Sequence, residues 1–356
     1  MNNLLDKKGQ LTLAALVLIA LAIFLGDDNL SRFEIRILNL SAIFVILGVS
    51  MNLVIGFTGM FSLGHAGFMC VGAYTAAILT MTPESKTFIY YMIPIHPLLA
   101  TVHWPIIPAI IMSGVVAAFF GLLIGIPVLR LRDDYLAIAT LGFAEILRII
   151  VTNTISITNG SLGLKDIPSV KSLWIYWGCA VITILMLTQL INSSWGRAFK
   201  AIRDNEIAAE AMGINLFRHK LLSFTIGAFL AGVSGALMAF LITSIDPTMF
   251  RFLFTFQILL IVVLGGMGSM TGTVIAGVVI TVATEWLRFV ESDMNILGFF
   301  TIPGVPGMRM VIFSILLLVV ILFYRQGLMG TKEFNWNWLL NQYTVVKNRY
   351  CGGISK

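Results

Sequence analysis

Charge is what this sequence has least of. Asp, Glu, Lys and Arg make up 11% of its 356 residues, against roughly 25% in an ordinary soluble domain. A soluble fold needs charge to cover its surface, whereas a chain in lipid does not. Hydrophobic residues reach 58%, more than one buried core absorbs. Cysteine is also scarce. Cys70, Cys179 and Cys351 form no Cys-x-x-Cys, so neither a disulfide framework nor a structural zinc site is expected. There is no Gly-x-x-x-x-Gly-Lys-Ser/Thr, hence no P-loop for ATP on this chain. A nucleophile with its base, a metal cluster and a carboxylate dyad are missing too, so a membrane enzyme is the weakest class of function. The net charge is +6. The basic residues sit at the ends of apolar runs, where the positive-inside rule accounts for them, and no nucleic-acid partner is expected.

What is present is a series of ten apolar runs. They are Leu11–Gly26, Ile37–Ile55, Gly64–Thr80, Pro105–Leu129, Tyr135–Thr152, Trp174–Ile191, Leu221–Thr243, Gln257–Leu264, Gly272–Thr284 and Met308–Tyr324. Most are long enough to cross the hydrocarbon. The pattern predicts an all-α integral membrane protein with about ten transmembrane helices, some broken at Gly-rich segments. Gln257–Leu264 reads as half of a broken element. The first run resembles a signal peptide, but without a clear small-x-small cleavage site it reads as a retained helix. With both termini cytoplasmic, the inner segments hold fourteen basic residues and the outer segments seven. That ratio favours termini inside and an even number of spans. The expected organisation is a permease domain over residues 1–330, with a cytoplasmic loop at 193–220, and a cytoplasmic tail over 331–356. The tail carries Trp336, Trp338, Tyr343, Lys347 and Arg349, suited to a membrane interface.

Four segments carry candidate chemistry. Gly56–Gly67 holds Thr58, Gly59, Ser62, Gly64, His65 and Gly67 between two apolar runs. Irregular backbone at membrane depth is tolerated only when buried in protein or facing water, so this stretch is a candidate substrate pathway. A lone His beside glycines is more often a packed, hydrogen-bonded residue. A second glycine break, Gly265–Gly272, contains Gly268. Paired breaks point to a repeat-built transporter, although close helix packing also explains the glycines. Arg130–Tyr135 reads as a charged turn with Asp133 and Asp134 at a helix start. Glu145 and Arg148 lie inside a span and share a face. They, and Glu285 with Arg288, could meet a zwitterion. Mutual pairing is favoured, because it lowers the burial cost without a ligand.

The fourth segment, Ser193–Lys220, is the longest polar loop. Ala201, Ile202, Ile207, Ala208, Ala211 and Met212 recur at helical spacing, which predicts short amphipathic helices under a partner. Gly213 is placed to cap the second helix. Arg203, Glu206, Ala208, Ala209, Glu210 and Gly213 are the candidate docking residues.

Taken together, Asn52–Phe68, Leu131–Ile146, Gly196–Asn215 and Gly265–Thr273 resemble the permease subunits of bacterial branched-chain amino acid ABC importers, the LivM type in particular. The resemblance spans about Asn52 to Tyr324. It implies a coupling helix in the 193–220 loop, seated in a cleft of a cytoplasmic ATPase. In ABC importers that segment reads Glu-Ala-Ala-x-x-x-Gly. Ala208, Ala209 and Gly213 match, while Ile207 stands in the Glu position and Glu206 and Glu210 flank it. The resemblance further implies a second homologous permease subunit, two ATPase subunits holding ATP and Mg, a solute-binding protein, contact with membrane lipid and a place in the bacterial inner membrane. No cofactor is implied on this chain. Branched-chain amino acids are the expected cargo, with urea or short amides as an alternative. A stand-alone secondary transporter or channel is the competing class, for which Glu145 is the strongest coupling candidate.

Overall fold

The computed structural model describes residues 30–131, 134–287, 294–296, 300–302, 307–323, 327–330 and 333. The first apolar run, Arg132, Asp133, Arg288 and nearly all of the tail lie outside these residues. Residues Ser31–Thr331 form one compact unit.

Each of the other nine apolar runs is a helix. Helix α1, Arg32–Asn52, starts at a capping box in which Ser31 and Glu34 bond each other's backbone N–H. Those bonds satisfy donors that a helix start leaves open. It passes into a π-turn, Leu53–Phe57, and together they make a 26-residue apolar span that is almost wholly buried. Helix α2 is His65–Thr80, and α3, Pro83–Ile89, bends from it by 118°. After the one-turn α4, Pro97–Ala100, come α5, Ile106–Val128, and α6, Asp134–Asn153. The short α7, Ile155–Thr158, precedes α8, Leu173–Asn192. The predicted amphipathic pair is α9, Ser194–Asp204, and α10, Glu206–Ala211. Helices α11, Leu216–Ile242, α12, Phe252–Gly265, α13, Met270–Leu287, and α14, Met308–Phe323, complete the order. A small antiparallel pair, β1 Met294–Ile296 with β2 Phe300–Ile302, is the addition to an otherwise helical fold.

Among the described residues six helices are long and apolar enough to cross a bilayer, and the bent α2–α3 pair makes a seventh. Helix α12 has 14 residues, about 21 Å, less than the roughly 30 Å hydrocarbon core.

The core forms where α11 packs between α2 and α5, and α1 against α11 and α13. Water supplies no drive for helix association in lipid, so close backbone approach must provide it. A Cβ on Gly72 would lie 2.2 Å from the Gly232 carbonyl oxygen, and one on Gly235 2.1 Å from that of Met69. These are α2–α11 contacts made backbone to backbone.

The two ends of the unit differ. At the Ile242 end of α11, an antiparallel bridge joins Leu164 to Ile245. At the same end the α3–α4 segment is tied to α7, with His96 N donating to Ser156 O and Tyr90 Oη to Ile157 O. Buried Lys86 donates from Nζ to the carbonyls of Leu99 and Val102 at 2.8 and 2.6 Å. At the Leu216 end lie α9, α10 and both glycine breaks.

Candidate functional site

The two glycine breaks meet, and Asn52 joins them. Its Nδ2 donates to Ser269 O at 2.9 Å and to Thr273 Oγ1 at 2.6 Å, while its Oδ1 accepts from Gly268 N at 2.9 Å. A buried amide that satisfies donors and acceptors on both sides is a lock. Gly56 fits against Asn52 because it has no side chain: a Cβ there would lie 1.8 Å from Asn52 Oδ1 and 2.4 Å from Gly268 N. Gly59 and Gly268 adopt left-handed φ of 77° and 91°, a region that glycine enters without strain. Sequence reasoning placed the breaks but missed Asn52. An amide side chain four residues before a break and inside an apolar run was the available signal.

The break follows a full-length span instead of interrupting one at mid-depth. It lies beside α9: a Cβ on Gly59 would be 3.1 Å from the Arg203 Cα. The hydroxyls of Thr58 and Ser62 are turned inward and matched. Thr58 Oγ1 donates to Leu53 O at 2.9 Å and pairs with Ser223 Oγ at 2.7 Å. Leu63 N donates to Thr140 Oγ1, and Gly64 N to Ser62 Oγ. His65 is 1% exposed, and neither ring nitrogen has a hydrogen-bond partner among the described residues. Of the six pathway candidates here, only Gly59 is exposed. The glycines divide by role. A Cβ on Gly67 would sit 2.7 Å from Ala144 Cα, whereas one on Gly64 meets its neighbours at 3.4 Å.

On α6, Arg148 bonds Glu145 through Nε at 2.9 Å and through Nη2. The pair is half-exposed and self-satisfied, as favoured above. A cavity of about 420 Å³ opens elsewhere, among α1, α12, α13 and α14. Phe44, Phe254 and Leu260 line it, with Gln257, Arg251 and Glu285 as polar groups.

In the loop, α9 buries Gly196, Phe199 and Ile202 against the neighbouring helices, and Lys200 Nζ stands 5.9 Å over the Phe57 ring. Arg203 leaves the docking set and points inward: Nη1 donates to Gly56 O at 3.1 Å, and Nε and Nη2 donate to Asp204 Oδ1. Asn205 Oδ1 caps α10 by accepting from Ala208 N at 3.0 Å. Gly213, with φ 84°, closes it as the sequence predicted: its N–H meets Glu210 O and the next N–H meets Ala209 O. Glu206 is bridged to Lys220 at 2.6 Å. Helix α10 does not present the candidate docking residues as one surface. Ala209 is 3% exposed and packs within the chain. Ala208, Glu210 and Gly213 are exposed, beside Ile207 at 82% and Met212 at 83%.

Several apolar spans, paired helix breaks and one apolar helix face exposed at the end of the bundle define a multi-pass membrane permease. The chain belongs to the family described as "Branched-chain amino acid transport system / permease component", which it matches over residues 34–322. It is 35% identical over 326 residues to the high-affinity branched-chain amino acid transport system permease protein LivM of Salmonella typhimurium, covering 82% of this chain and 72% of that one. The probable LivM permease of Methanocaldococcus jannaschii is 25% identical over 321 residues, with 82% and 91% covered. The LivH permease of Salmonella typhimurium is 26% identical over 304 residues, with 75% and 92% covered. No solved structure matches the chain.

Proposed function

We propose that the chain is the permease subunit of an ATP-binding cassette importer that moves branched-chain amino acids into the cytoplasm by alternating access. ATP and Mg bind to two separate ATPase subunits. A second permease subunit of this family, a partner consistent with the shared similarity to LivM and LivH, completes the transmembrane part, and a solute-binding protein delivers cargo from outside. The complex lies in the bacterial inner membrane with both termini and α9–α10 cytoplasmic. The cavity suits this cargo: apolar walls accept a branched side chain, and Arg251 offers a positive charge to its carboxylate.

The observation that carries the reading is the exposed face of α10. Ile207 and Met212 are large apolar side chains left uncovered on a polar loop, and uncovered apolar surface marks an interaction site. Ala208 lies between them and exposed, small enough for a cleft wall to approach. ATPase closure pressing on this face would reorient the spans. Pull-down of the ATPase subunits by tagged permease tests it. Ala208→Trp overpacks the interface by about 1–3 kcal/mol, roughly tenfold to a hundredfold in association, and so loses recovery and leucine uptake while the protein stays in the membrane. Ala208→Ser keeps both. Equal recovery and normal uptake with Trp at 208 would remove α10 from the interface.

A further inference from the structure

We propose that Arg203 is a positioning residue that carries movement of the cytoplasmic α9–α10 pair into the junction of the two helix breaks. The inference extends the importer reading in its transport arm, while its structural arm stands apart from it.

Arg203 occupies the last turn of α9, two residues before Asn205 caps α10. A displacement of α10 therefore acts first on this turn. The guanidinium is divided between two tasks. Asp204 Oδ1 accepts from Nε at 3.0 Å and from Nη2 at 2.9 Å, which fixes the plane of the group. The remaining arm, Nη1, reaches Gly56 O at 3.1 Å. That carbonyl lies in the π-turn where α1 ends, and helix-end carbonyls need partners from outside the helix. Nη1 would also stand 2.9 Å from a Cβ on Gly268, and that Cβ would be 3.3 Å from Gly56 O. One cationic arm thus lies against the point where the Gly56 and Gly268 backbones meet, the same two strands of chain that Asn52 ties together.

The contact runs along the backbone as well. Gly59 approaches the Cα of Arg203 to the distance at which a Cβ would touch it at 3.1 Å. Lys200, one turn earlier on α9, places its Nζ over Phe57. Hence α9 rests on the first break at three successive points, and Arg203 extends to the second. Arginine suits the place because its planar fork offers five fixed donors, enough to hold Asp204 and Gly56 O together. A lysine keeps the charge but cannot hold both in one geometry.

The test uses Arg203→Gln and Arg203→Lys in the full chain, in lipid nanodiscs for hydrogen exchange and with the ATPase subunits and binding protein in proteoliposomes for transport. A hydrogen bond to a charged group is worth enough that its loss speeds local opening about tenfold or more. Arg203→Gln should therefore speed exchange of the amides at 58–63 and 267–269 about tenfold, with α11 unchanged. ATPase recovery and ATP hydrolysis stay near the wild-type level, and uptake per ATP hydrolysed falls about tenfold. Arg203→Lys falls between. Unchanged exchange at both breaks overturns the contact. Faster exchange with an unchanged ratio of uptake to hydrolysis overturns the transmission, since a purely structural role lowers both together. If the wild-type complex shows no ATP-driven uptake, the importer reading fails, and the exchange experiment still decides whether Arg203 holds the junction.

Discussion

At the scale of single residues, the glycines of the first break carry distinct demands. Gly67 lies against Ala144, where an added methyl would come within 2.7 Å of a Cα. Backbone cannot yield as a flexible side chain can, so Gly67→Ala pushes α2 off α6. Gly64 has a right-handed backbone, φ −86° and ψ −6°, with its nearest neighbours at ordinary contact distance. Gly64→Ala should leave the unfolding temperature in detergent within about 1 °C, whereas Gly67→Ala costs about 1–3 kcal/mol and lowers it by several degrees. Equal shifts in the two variants would contradict this division. The sequence shows that this stretch is special, because four glycines with Thr, Ser and His between apolar runs are rare in a plain span. It does not show which glycine touches which helix, since that depends on α6, some 75 residues away. The same limit hid Asn52. Its partners are more than 200 residues further on, and no local pattern records them.

At the scale of elements, hydropathy located each described span, because lipid requires an apolar run as long as the hydrocarbon core. Ends are governed by different physics. Helix α11 begins at Leu216 under the Asn215 cap, five residues before its apolar run, because a hydrogen-bonding cap sets the start and not hydrophobicity. Helix α10 shows the same control. With six residues it is too short to be stable alone, so its caps and the buried Ala209 hold it. Asn205 looks like a plain surface residue in sequence but is the N-cap. Asn205→Ala should weaken α10 by about 1 kcal/mol, a rise of about fivefold in amide exchange across 206–211 with α9 unaffected. Exchange unaltered in α10 would show that packing alone holds the helix. The amphipathic spacing correctly gave a helix and its Gly213 closure. It erred on Ala209, which points about 100° from exposed Ala208 and on this helix turns to the buried side.

At the scale of the whole molecule, the asymmetry between the two ends decides how the protein sits in the membrane. Helix α11 has 27 residues, about 40 Å, enough to span the hydrocarbon and separate the two sets of loops. One set is α3, α4, α7 and the Leu164–Ile245 bridge; the other is α9, α10 and the glycine breaks. The basic residues are biased to one side: Arg197, Lys200 and Arg203 on α9 and Arg218 and Lys220 at the start of α11 lie by the second set, against Lys86, Lys165 and Lys171 by the first, a bias that the positive-inside rule reads as cytoplasmic. Glu210 and Phe88 are exposed representatives of the two ends, Phe88 at 84%. In a chain whose Cys179 and Cys351 are replaced by Ser, buried Cys70 stays shielded. Phe88→Cys should then react with a membrane-impermeant thiol reagent added to intact cells. Glu210→Cys should react only after the membrane is opened. Labelling of position 210 from outside would invert the orientation. It would place α10 where no ATP-driven subunit can reach it, and both the docking face and the link through Arg203 would lose their motor.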